Sequence, residues 1–306
     1  MKKFLLFASG LVAIFLVLTF AYDGLNLALV RSSSGNGAYK MERFFGDLAD
    51  DEIQILGSSR AEENISPSAL GGNSFNYGIS GSSIRETLFM LRDLVARKTT
   101  GMILVNVDPW GFANFDSSSF CGDYLLAAKS RDVRRRLPRG VVNGLDWLLG
   151  VRFQGRLRSN LAAAVNTRLS VTKEVDRGAF LLKTSRTDAE WNYIDKTLKP
   201  VDFGLPSEAC QAVLDEIARI VKSREGRLRV VFVIGPCSPS WCKLFTGGDV
   251  LRKWVKEFNV RMADSHLMVL DLFSDSDFER HDFTDPTHLN RDGAIRFSRE
   301  LKRRLR

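Results

Sequence analysis

A chain of 306 residues with 44% hydrophobic and 26% charged side chains holds enough apolar material for one large core, which excludes a disordered or low-complexity protein. Its net charge is +8, and its four cysteines, at 121, 210, 237 and 242, lack metal-site spacing and neighbouring histidines. A structural zinc is therefore not expected, and no other metal or cofactor is called for.

Lys2 and Lys3 precede an uncharged run from Phe4 to Tyr22, and Asp23 follows it. At ~1.5 Å per helical residue the run covers ~30 Å, the thickness of a bilayer core. Residues 1–22 read as a transmembrane anchor, and the positive-inside rule puts the N-terminus in the cytoplasm. The alternative is a cleaved signal peptide, for which Thr19-Phe20-Ala21 is a poor cleavage site and the apolar run is long. Residues 23–50 follow as a tether, most flexible in composition at Arg31-Ser32-Ser33-Ser34-Gly35-Asn36-Gly37.

From residue 51 to 306 short apolar runs alternate with helical patterns. The runs are Ile53 to Leu56, Ser74 to Tyr77, Met102 to Val107, Leu228 to Ile234 and Leu267 to Leu272. The helices are Ile84 to Arg97, Ser207 to Ser223, Gly248 to Ala263 and Asn290 to Arg304, the last with Asn290 as N-cap. Continuous apolar strands between helices predict an α/β fold of three layers, a buried parallel sheet flanked by helices. Residues from about 112 to 205 break the alternation and read as an inserted, mostly helical cap over the carboxyl edge of the sheet, where open α/β folds bind ligands.

Three segments carry chemistry, and a fourth offers a further oxyanion contact. The first strand breaks into Gly57-Ser58-Ser59-Arg60, where a glycine-permitted bend can present a serine hydroxyl at the sheet edge. Phe75-Asn76-Tyr77-Gly78-Ile79-Ser80-Gly81-Ser82-Ser83 places glycine backbone beside a helix N-terminus, where free N–H groups can meet an oxyanion. Asp285-Pro286-Thr287-His288 sets a carboxylate three residues before an imidazole, so that Asp285 can hold Nδ1 and leave Nε2 to take a proton from a hydroxyl. The strand Gly101-Met102-Ile103-Leu104-Val105-Asn106-Val107-Asp108 puts Asn106 and Asp108 on one side by alternation. Asn106 is the better donor to an oxyanion, whereas Asp108 lies nearer the strand end and, ionised, would repel one.

Taken together these segments resemble the SGNH, or GDSL-like, hydrolase superfamily. Ser59 matches its nucleophile, with Ser58 where the family has Asp; Gly81 matches the second-block glycine; Asp285 and His288 match the last block. The third block departs from the family's Gly-x-Asn-Asp, with Asn106 or Asp108 in its place. Gly57-Ser58-Ser59-Arg60 followed by Ile65-Ser66-Pro67-Ser68-Ala69-Leu70 looks most like the membrane-anchored branch, which includes D-alanyl transfer and polysaccharide O-acetylation proteins. The resemblance implies a Ser59–His288–Asp285 triad, an oxyanion hole from the Ser59 and Gly81 amides and Asn106, an acyl and specifically acetyl group, a cell-envelope or secreted polysaccharide, and a multi-pass membrane acyltransferase as donor partner. A second reading is a non-catalytic assembly or carbohydrate-binding partner in polysaccharide export, and a third is a lipid esterase.

The expected location is the cytoplasmic membrane, single-pass, with the domain periplasmic or otherwise extracytoplasmic, which argues against a nucleic-acid partner. Basic residues cluster at Arg131, Arg134, Arg135, Arg136 and Arg139 and in the tail Lys302-Arg303-Arg304-Leu305-Arg306; anionic headgroups, an acidic polysaccharide or plain solvent can face them. Cys237 and Cys242 flank Ser238-Pro239-Ser240-Trp241 and can pair in an oxidising compartment.

Overall fold

A computed structural model describes residues 1–46 apart from 33, 35 and 36, 51–115, 161, 164, 165, 173–199, 207–245 apart from 225, 250–263, 267–273 and 277–306. The chain divides into two units, Met1–Gly46 with Gly122–Ser170, and Asp47–Cys121 with Val171–Arg306. The arginine cluster from Arg131 to Arg139, Cys121 and His266 lie outside the described residues.

In the first unit the helix Lys2–Arg31 runs well past Tyr22, because nothing in Gly24–Val30 breaks it, and a second helix covers Gly37–Gly46. The stretch expected as a tether thus holds helix on both sides of 32–36. The first helix is long and apolar enough to cross a membrane, and it exposes Phe4, Phe7, Phe15 and Phe20.

The second unit is built on a sheet of five parallel strands: β1 (Ile53–Leu56), β2 (Ser74–Asn76), β3 (Gly101–Asn106), β6 (Leu228–Ile234) and β7 (Met268–Asp271), in the order β2-β1-β3-β6-β7. This is the expected α/β architecture. Its central strands are mostly apolar because both faces are covered, and adjacent residues serve opposite faces. Val231 and Val233 join a core with Phe283, Leu289, Phe297 and Leu301 from the C-terminal turn and the helix Arg291–Leu305. Phe232, between them, meets Phe258 at 5.3 Å on the other side, and Phe258 stacks on Trp254 of the helix Val250–Ala263. Burying one such phenylalanine contributes ~1.5–3 kcal/mol.

The helices Ile84–Arg97, Glu208–Lys222 and Arg291–Leu305 fall within a residue of their predicted ends, and the last is capped by Asn290, whose side chain accepts the Gly293 N–H at 3.0 Å. The described part of the expected helical insertion differs. It holds an antiparallel hairpin, β4 (Lys173–Asp176) and β5 (Ala179–Leu182), before the helix Asp188–Thr197. Arg177 (φ 44°) and Gly178 (φ 92°) make the turn, both with the positive φ that a tight hairpin requires. Asp176 ties the hairpin to the strand-following segment by accepting hydrogen bonds from the Ser66 and Ser68 hydroxyls and from Ser68 N–H.

The strand order reverses between β1 and β3. In a doubly wound sheet the loops leaving these two strands diverge and open a crevice at their carboxyl ends. Leu56 pairs with Val105 across that point, so Ser58 and Ser59 on one side and Asp108 on the other enter the same space.

Candidate active site

Gly57 makes the bend after β1 with φ +147°, and it has to be glycine: a Cβ there would stand 2.7 Å from Ala61 Cβ and 2.9 Å from Asn106 O. Ser58 then caps the short helix Ser59–Asn64, its carbonyl accepting the Ala61 and Glu62 N–H groups at 3.1 Å each. Ser59 is the first helical residue, so its own N–H has no carbonyl one turn back to bond. Asn76 fixes the helix from the end of β2, donating to Ala61 O (2.7 Å) and Ile65 O (2.9 Å).

The histidine arrives from the other end of the chain. Asp285 Oδ1 accepts the N–H of Thr287 (2.9 Å) and of His288 (3.0 Å), closing an Asx-type turn. Asn64 locks this turn to the Ser59 helix: it donates to Thr287 O (3.1 Å) and accepts Leu289 N–H (2.9 Å). With both elements held, His288 Nε2 lies 2.8 Å from Ser59 Oγ, and Nδ1 lies 2.8 Å from Asp285 Oδ2. A hydroxyl on an imidazole that is oriented by a carboxylate is the geometry of general-base activation.

Burial pushes the Asp285 carboxyl up, but the hydrogen bond and charge of His288 and the two turn N–H groups outweigh it and hold the acid at about 2. Burial likewise disfavours the His288 cation, yet the hydrogen bond and charge of Asp285, together with Glu63, raise its pKa above the ordinary histidine value. Glu63 is a site residue that the sequence did not disclose. Its Oε2 stands 3.8 Å from His288 Nε2, because the i+4 position on the Ser59 helix shares the face of Ser59. Only recognition that 59–64 is helical would have pointed to it.

Gly81 borders the same cleft. Ser82 N–H donates to Ile79 O at 3.0 Å, and φ +81° at Gly81 suits the third position of a type II turn. The loop is held from below by Glu62, which accepts the Ser80 N–H at 2.9 Å. The following helix engages two of its N-terminal donors, the Ser83 and Glu86 N–H groups, in a capping box between those two residues. Gly81 N–H makes no hydrogen bond among the described residues.

Asn106 and Asp108 both line the cleft, as alternation requires. Asn106 is buried; one amide hydrogen goes to Val233 O (3.2 Å), and Oδ1 has no partner among the described residues. Asp108 is not a bare carboxylate. Ser58 Oγ donates to its Oδ2 (2.9 Å) and Arg60 Nη1 to its Oδ1 (2.6 Å). Ser58 is thereby turned away from His288, whereas Ser59 faces it. The cleft holds about 470 Å³, and Trp110 and Trp241, 5.9 Å apart edge to face, form part of its wall.

Cys237 and Cys242 are free thiols, Cys242 Sγ lying 3.5 Å from Cys237 O. Burial drives both thiols upward, Cys242 to about 11, so neither is a thiolate near neutrality. His281 is exposed on the surface. No group of metal-ligating side chains occurs among the described residues.

No protein family and no curated protein matches the chain. Among solved structures, a candidate platelet activating factor from Streptococcus pneumonia is similar at 13% identity and a TM-score of 0.43, over 94% of this chain and 99% of that one. A candidate acylhydrolase from Bacteroides fragilis is similar at 9% identity and a TM-score of 0.37, over 85% of this chain and 89% of that one. Both likenesses are too distant to carry a function.

Proposed function

We propose that the chain is a membrane-anchored, extracytoplasmic serine esterase or O-acyltransferase of the SGNH-like kind, acting through Ser59, His288 and Asp285. The observation that supports it is the 2.8 Å pair of contacts from His288 to Ser59 and to Asp285 at the switch point of the sheet. His288 takes the Ser59 proton as Oγ attacks an acyl carbonyl, and the imidazolium is held by Asp285. The Ser59 and Gly81 amides and the second amide hydrogen of Asn106 receive the oxyanion. His288 then returns the proton to the leaving alcohol, and water or a sugar hydroxyl resolves the acyl-enzyme. An acetyl group, a polysaccharide acceptor and a multi-pass membrane acyltransferase as donor are proposed on the resemblance in sequence motifs alone.

The test is turnover of p-nitrophenyl acetate by the full chain in detergent, with and without a soluble polysaccharide. Acetate release in both cases identifies an esterase, and acetyl esters on the sugar identify a transferase. Retention of the polysaccharide with no turnover favours the binding-partner reading instead.

The anchor is tested separately. Lys2, Lys3 and the apolar helix predict that a reporter fused after Arg306 is active outside the cytoplasm, with Met1–Tyr22 still attached in the membrane fraction. A soluble form starting near Tyr22 would establish a cleaved signal.

A further inference from the structure

Arg60, the residue after Ser59, is among the largest fully buried side chains, with 2% exposure. Its guanidinium donates from Nη1 to Asp108 Oδ1 (2.6 Å), from Nη2 to Gly235 O and Pro236 O (2.8 Å each), and from Nε to Thr287 O (3.2 Å). Four segments meet on it: the Ser59 helix, the ends of β3 and β6, and the turn that carries His288. Trp110 covers the guanidinium at 5.2 Å, and a Cβ at Gly235 would approach Nη2 to 3.2 Å. The position is shaped for this one side chain.

Each half of the pair alone would harm the chemistry next to it. A bare Asp108 carboxylate on the cleft wall opposes the negative charge that develops on the acyl oxygen. A bare guanidinium disfavours the cation that His288 must become. A charge left unpaired at this depth is also strongly destabilising.

We infer that Arg60 and Asp108 form a charge-neutral positioning unit for the Ser59 chemistry, in which Arg60 cancels the field of Asp108 at the reacting carbonyl and pins the His288 turn to the Ser59 helix. The inference rests on Ser59 being the nucleophile. The groups that act on His288 are Asp285, Glu63 and Arg60; removing Arg60 changes the charge that His288 feels directly, and removing Asp108 changes it by leaving the Arg60 cation uncompensated.

The test is the pH dependence of kcat and KM for p-nitrophenyl acetate with the full chain in detergent. Arg60→Met should lower kcat on the order of 10²-fold with a much smaller change in KM, as for loss of transition-state electrostatics. Its acid limb should move to higher pH, because a cation near His288 is gone. Asp108→Asn should move the limb to lower pH. The double variant should return the limb toward wild type and recover roughly tenfold in kcat over Arg60→Met, a coupling that only interacting residues show. A packing role alone would reduce folded protein without opposite shifts, and that result would overturn the inference, as would a double variant no better than Arg60→Met. If Arg60→Met does not fold, the Asp108→Asn limb decides: a shift to lower pH supports the pair, and no shift refutes it. Activity that survives Ser59→Ala would remove the nucleophile reading and this inference with it. Activity lost in Ser59→Ala without opposite limb shifts would remove the inference alone.

Discussion

Ser59→Ala is expected to lower the turnover of an acetyl ester on the order of 10³-fold or more, while Ser58→Ala leaves most of it. The difference lies in where the two hydroxyls point. Ser59 Oγ lies 2.8 Å from His288 Nε2, whereas Ser58 Oγ donates to Asp108 at 2.9 Å. Groups that act as a unit fail together, so the residue of activity in Ser59→Ala comes from binding and the oxyanion donors. The substitution removes one hydroxyl at the head of a short helix and keeps the backbone, so thermal unfolding should move little. Steady-state kinetics beside a melting curve separates loss of chemistry from loss of fold.

Asp285→Asn should be nearly as damaging, on the order of 10³- to 10⁴-fold in kcat, because an amide can hold His288 Nδ1 in the wrong tautomer and cannot stabilise the imidazolium. It should also change the pH profile in a defined direction. His288 must be neutral to accept the proton, and its raised pKa places the acid limb above the ordinary histidine value of 6.5. Without the carboxylate the cation is less favoured, so the limb moves to lower pH as the plateau falls. Stability follows the same pair with opposite signs. Asp285 is held at about 2 against an ordinary 3.8, so its contribution is present above 3.8 and is lost as pH falls toward 2. His288, with its raised pKa, contributes below 6.5 and loses that contribution as pH rises through its folded value. The pair therefore stabilises most between about 4 and 6.5. Unfolding measured across pH should show the wild-type advantage over Asp285→Asn peaking there.

The sheet was legible because parallel strands buried on both faces are apolar along most of their length, and the strand Leu228–Ile234 shows this in the five successive residues Val230 to Ile234. The long helices were legible from their period, and the last of them also from its cap, Asn290 ahead of Arg291. Ser59, Asp285 and His288 were legible because each stands in a short local motif. What surrounds them was not. The helix Ser59–Asn64 is too short to show a period, so the roles of Arg60, Glu63 and Asn64 stayed hidden within it. Arg60 and Asn64 bind Thr287 across most of the chain, a pairing that local pattern does not encode. The β4–β5 hairpin was obscured because its turn uses Arg177 in place of the usual Asn or Asp before Gly178.

The charge on Asp108 shows the same limit. By alternation alone it shares a side with Asn106 and would be expected to repel an oxyanion. Its partners Arg60 and Ser58 are separated from it by 48 and 50 residues, and they change its electrostatic meaning.

The most direct measurement is acid-quenched mass spectrometry of the full chain during turnover of p-nitrophenyl acetate. If Ser59 is the nucleophile, the peptide that contains it carries the mass of one acetyl group, fragmentation places that group on Ser59, and His288→Ala abolishes it. Turnover with no acetyl on Ser59, or with the acetyl on Ser58 or another residue, would contradict the account.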